Sequence, residues 1–129
     1  GGPRQPLIGR VFRHGVADCY ALVRDWYAEV RGVDLPDLPR DAAWWEKGGN
    51  VIADHLAEMG FARTEEPLQV GDGILASVGR SARAGIVNHC GVYVGNGLVL
   101  HHMTNTLSRR DVLNRYQRYV VGHVRHRGG

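Results

Sequence analysis

The residues of this chain best suited to covalent chemistry near neutral pH are its cysteines and histidines, and two stretches hold those whose setting could make a site. Cys19 follows Asp18, a helix-capping residue type, and opens a stretch of helical periodicity. A thiol at the first turn of a helix meets unpaired amide N–H groups and the positive end of the dipole, which favour the thiolate. The loop before it, Arg13-His14-Gly15-Val16-Ala17, contains a glycine that lets a ligand approach the backbone. Helix-start amides there can also hold an oxyanion. On position alone, a small buried hydrophobe is an equally ready reading of Cys19.

A nucleophilic thiol needs a base, and the base needs an orienting partner. His89, His101 and His102 sit near the open end of one hairpin signal. Alternation puts Cys90 on the opposite face from His89, where it reads as core packing. Register decides which later histidine shares the His89 face. A two-residue Asn96-Gly97 loop puts His102 there, and a three-residue loop, 95–97, puts His101 there. Spacing leaves both open. Zinc held by His89, Cys90, His101 and His102 is disfavoured, because neighbouring strand residues point to opposite faces. No cofactor and no metal is called for.

These groups must be carried by regular elements. Residues 19–30 read as a helix with Leu22, Val23, Trp26 and Val30 on one stripe, stopped by Gly32. A short helix is expected from Asp41 through Trp44 and Trp45. Another is expected after Asn50, with Ile52, Leu56 and Met59 inward and Gly60 at its end. Beyond Gly60 the period changes. Strands are expected at 61–64, 74–78, 86–94, 98–103 and 119–125, with a polar loop at 79–85 and a helical turn within 107–113. Helices first and strands afterwards give an α+β domain, an antiparallel sheet covered by early helices.

Composition sets outer bounds. The 129 residues suffice for one domain with a real core. Sixteen Lys and Arg against thirteen Asp and Glu leave a net charge of +3, which suits nucleic acid, phospholipid or the acidic polymers of a cell wall, and equally a plain solvated basic surface. No basic stripe carries interleaved aromatics, so nucleic acid is not expected as a partner. No apolar run reaches the roughly 18 residues of a membrane span, so membrane insertion is not expected. Residues 1–8 read as a linker and 9–127 as the domain.

Several segments together resemble a known family. Asp18-Cys19-Tyr20-Ala21-Leu22-Val23 is similar to the nucleophile segment of NlpC/P60 cell-wall cysteine peptidases. His89-Cys90-Gly91-Val92-Tyr93-Val94-Gly95-Asn96-Gly97 resembles that family's base-bearing hairpin, and Val99-Leu100-His101 the segment of its orienting histidine. Leu68-Gln69-Val70-Gly71-Asp72 resembles the turn between them. Residues 14–27, Trp44-Trp45-Glu46-Lys47-Gly48, and 101–111 further resemble a phage-tail branch of the family.

The resemblance implies a papain-like α+β fold with Cys19 as nucleophile, His89 as base and His101 as orienter. It implies hydrolysis of amide bonds in peptidoglycan stem peptides, often between γ-D-glutamate and a diamino acid. The implied setting is a phage tail tip, alongside other tail-tip proteins, or the host cytoplasm during assembly, with action at the bacterial wall. Asp18, Tyr20 and Phe12 take the family's substrate-contacting positions. Phe12 stands where relatives carry an oxyanion-stabilising tyrosine, and Tyr20 replaces a serine. A catalytically silent structural module of the tail tip is the alternative.

Overall fold

Asp18 begins the helix that carries Cys19. Its extended backbone lets one carboxylate oxygen accept from the Ala21 amide at 3.0 Å and the other from the Gly15 amide at 3.0 Å. The computed structural model, which describes residues 6–37, 51–79 and 87–128, shows α1 at Cys19–Trp26, widening into a π-helical turn at Tyr27–Arg31. Gly32 closes it in the left-handed conformation (φ 65°). The wider turn shifts the helical phase: Tyr27 goes into the core, and Val30, expected on the buried stripe, is 54% exposed.

After this come α2 (Val51–Asp54) and β1 (Phe61–Thr64), followed by β2 (Gly73–Ala76), β3 (His89–Gly95) and β4 (Leu98–His101). β5 (Arg109–Val112), a 3-10 helix (Leu113–Tyr119) and β6 (Val120–His126) complete the order. The strands form one antiparallel sheet, ordered β1-β6-β2-β3-β4-β5, so the α+β arrangement stands. α2 is shorter than expected, since residues 55–60 continue as turns ending at Gly60 (φ 86°). The expected helix at 41–46 and most of the loop at 79–85 lie outside the described residues.

One expectation is reversed. Residues 109–112 form an edge strand on β4, not part of a helical turn, and the helical stretch comes afterwards. Arg109, Arg110 and Asp111 give this strand no apolar period to read, which suits an edge exposed to water.

The sheet's two faces have different tasks. Leu75, Cys90, Val92, Leu100 and Val124 pack under Tyr20, Leu22, Val23, Trp26 and Tyr27 of the helix. On the other face Ile74 and Val99 pack with Leu113. Two ties hold the segment that precedes the helix to this frame. Ser108 bonds the Arg10 amide at 2.8 Å and the Leu7 carbonyl at 2.8 Å, and the buried Arg10 reaches Asp25 of α1 at 2.8 Å. Across the sheet, the turn before β2 is locked by Asp72, which accepts from the Gln69 amide and both forks of Arg125 at 2.9 Å.

Candidate active site

The hairpin between β3 and β4 resolves the histidine register by a route that neither loop length alone describes. Its turn is the two-residue Asn96-Gly97, both at positive φ, with Gly95 facing Leu98. Val94 is then skipped, so Tyr93 faces Val99 and Gly91 faces His101. This bulge gives the register expected of a three-residue loop, and His101 rather than His102 shares the His89 face.

His89 and His101 are 7% and 3% exposed, with His89 Nε2 2.9 Å from His101 Nδ1. His101 Nε2 lies 2.7 Å from the Asp111 carboxylate on β5. Asp111 also accepts from Arg109 Nε at 2.7 Å and from the Tyr116 hydroxyl at 3.2 Å. The Tyr116 ring stands edge-on to His101, centroids 4.9 Å apart. Burial and the charge of His89 lower the His101 pKa against the pull of Asp111, so its ring is neutral at neutral pH. Asp111 is held below the usual carboxylate range: burial works against this, and the hydrogen bonds from Arg109 and His101 outweigh it.

His89, the first residue of β3, lies close enough to the half-buried Cys19 at the helix start to interact with its thiol. The Cys19 thiol is held well below the ordinary thiol value. A hydrogen bond from Cys90 contributes most, and burial is the main opposing effect. The hydrogen bond to His89 and that ring's charge add to the lowering, while the charge of Asp18 opposes it. Cys90 is thus in the core, as alternation suggests, and is also in contact with the nucleophile position. That contact comes from the helix lying over β3, which alternation within the strand does not report.

The other expected site residues are placed differently. Tyr20 is 2% exposed in the core, its hydroxyl donating to the Pro36 carbonyl. Asp18 is buried, with both oxygens engaged by the loop and helix amides. Phe12 is half-buried, edge-on to His14 at 5.0 Å and to His102 at 5.2 Å. His102, 1% exposed, bonds the Thr106 carbonyl at 2.9 Å and supports this corner of the site from behind. Asp111 was not among the expected site residues. Only the strand assignment of 109–112 would have brought it opposite β4.

The role of Cys90 has a direct readout. Cys90→Ala removes the main contributor lowering Cys19, so the pH midpoint of iodoacetamide alkylation is expected to rise by about one unit. Mass spectrometry of Cys19 labelling across a pH series measures it. An unchanged midpoint in a folded variant would show that Cys90 only packs.

Comparison with known proteins gives a consistent result. The family model described as NlpC/P60 family matches residues 9–126. Tail tip assembly protein K of Escherichia phage lambda is 38% identical over 123 residues, covering 94% of this chain and 59% of that protein. The protein of the same name from Escherichia phage N15 is 34% identical over 107 residues, covering 81% of this chain and 42% of that protein. The chain therefore spans about half the length of these curated relatives. Among solved structures, NlpC1 of Trichomonas vaginalis superposes with a TM-score of 0.64 at 22% identity, covering 92% of this chain and 39% of that one. A lipoprotein-like NLP/P60 family protein of Staphylococcus aureus superposes with a TM-score of 0.59 at 20% identity, covering 92% and 37%. At those identities the structural likeness speaks for the fold.

Proposed function

Because the chain belongs to the NlpC/P60 family, we propose that it is a cysteine peptidase hydrolysing amide bonds in peptidoglycan stem peptides at a phage tail tip. The observation that carries this reading is the placement of a thiol at a helix start beside a buried His89, itself bonded to His101. The names of the relatives, at 38% and 34% identity, support the tail-tip setting and other tail-tip proteins as partners.

In this mechanism Cys19 Sγ, as thiolate, bonds to the amide carbonyl carbon. The first-turn amide of Cys19 steadies the oxyanion, since Phe12 has no hydroxyl to offer. The carbon–nitrogen bond then breaks as His89 passes its proton to the leaving amine, and a thioester remains. Water, deprotonated by His89, releases the acid and restores the thiol.

The test is digestion of purified peptidoglycan by the wild type and by Cys19→Ala, with mass spectrometry of released fragments. Wild type is expected to release stem-peptide fragments, and Cys19→Ala to lower the rate by roughly 10⁴-fold or more. Equal release by both would sink the reading. The names of the relatives, which mention assembly, favour a second one: a structural module of the tail tip. Release by neither protein, with tail assembly intact in Cys19→Ala, would point there.

A further inference from the structure

We propose that Asp111 is a positioning residue of this site: its carboxylate fixes the protonated nitrogen of His101 and so aims His89 at Cys19. The proposal rests on the peptidase reading for its effect on turnover. Its geometry stands apart from that reading, in two hydrogen bonds in a row that end beside Cys19.

The argument is one of donors and acceptors. An ionised carboxylate accepts only, so the 2.7 Å contact requires His101 to carry a proton on Nε2. A neutral imidazole with Nε2–H has a bare Nδ1. That nitrogen is 2.9 Å from His89 Nε2, which must then be the donor. His89 therefore has Nε2 protonated and engaged. Its remaining nitrogen, Nδ1, is left to exchange a proton with Cys19. One carboxylate on an edge strand thus sets the tautomers of two buried rings in sequence. Without it, His101 is free to protonate Nδ1 instead. Two N–H groups would then confront each other across 2.9 Å, and His89 would turn or lose its partner.

The negative charge has a second effect. When His89 holds the proton of Cys19, the cation donates to His101, which donates to Asp111. The pair is compensated along a line of hydrogen bonds, at a site too buried for water to do this. The charged and titratable groups facing this line are few. Asp111 meets His101 from β4, Arg109 on its own strand and Tyr116 from the 3-10 helix. Cys19 meets His89 and Cys90 from β3 and Asp18 from its own cap, and it feels His102 beyond β4. None of the others bonds His101 Nε2 among the described residues.

Long-range ¹H–¹⁵N spectra of the wild type read the tautomers directly, and the expected result is Nε2–H at both His101 and His89. Asp111→Asn keeps an acceptor oxygen and loses the charge, while Asp111→Ala loses both. Asp111→Ala is expected to mix the His101 tautomers, to raise the Cys19 alkylation midpoint by about one pH unit, and to lower kcat roughly 100-fold with KM nearly unchanged. Asp111→Asn is expected to restore the tautomer and only part of the midpoint and rate. A wild type with His101 protonated on Nδ1 would overturn the proposal, whether or not the variants fold. So would an Asp111→Ala protein with wild-type tautomers and alkylation profile. Neither spectra nor alkylation uses substrate, so failure of the peptidase reading would appear separately, as absent digestion with the tautomers in place.

Discussion

Replacing His89 with alanine is expected to abolish measurable turnover of peptidoglycan peptides, a loss of roughly 10³-fold or more, with the fold retained. Two contributions vanish together. The thiol loses its proton acceptor in the attack, and the leaving amine loses its proton donor. A third consequence is visible without substrate. His89 lowers the Cys19 pKa through a hydrogen bond and through its charge, so the variant thiol ionises at higher pH. The sign is fixed: a depressed thiol pKa keeps the reactive form populated as pH falls, and the variant loses that form first at the acid end. Alkylation of Cys19 between about pH 5 and 9 should therefore show wild type reacting well below the pH at which His89→Ala begins. Adding Cys19→Ala to His89→Ala should cost little more than either change alone, because the two side chains act as one unit. A His89→Ala protein with wild-type turnover would remove the histidine from the mechanism.

The site was readable in the sequence where chemistry and local periodicity coincide. Asp18 as cap and Cys19 at the first turn follow from short-range rules, and both appear as expected. The histidine on the His89 face depended on one residue of hairpin geometry. Sequence left two registers open, and the molecule combines the turn of one with the pairing of the other through the bulge at Val94. Asp111 was hidden for a different reason. Its strand is short, charged and at an edge, so nothing in its own pattern marks it as a strand; β4 imposes the pairing. Tyr20 shows the reverse case. The resemblance puts it at a substrate-contacting position, yet one step along a helix from Cys19 is a 100° rotation, and that carries the ring into the core.

Gly91 is where fold and site meet most closely, and Gly91→Val is expected to damage both. Its backbone is ordinary, with no positive φ, so the requirement is for space. A Cβ there would lie 2.8 Å from the Leu100 carbonyl oxygen, 2.8 Å from Val99 Cγ2 and 3.0 Å from the His101 Cβ. The first of these is backbone within the ladder and cannot swing aside. β4 must therefore move away from β3 at the pair that sets His101 opposite Gly91. The expected cost is about 2–3 kcal/mol, at the upper end for inserting a side chain into a close-packed site. Thermal unfolding checks it. The same displacement pulls His101 Nδ1 off His89 Nε2, so the Cys19 alkylation midpoint should rise at temperatures where the variant is still folded. Gly97→Ala supplies the contrast. At φ 74° with nothing within 4 Å, it strains only the turn backbone, costing about 1 kcal/mol. It should lower stability and leave the alkylation profile untouched. If Gly91→Val loses stability and keeps the wild-type profile, close approach of the strands is not what seats His101, and the placement must come from Asp111 and the Tyr116 ring instead.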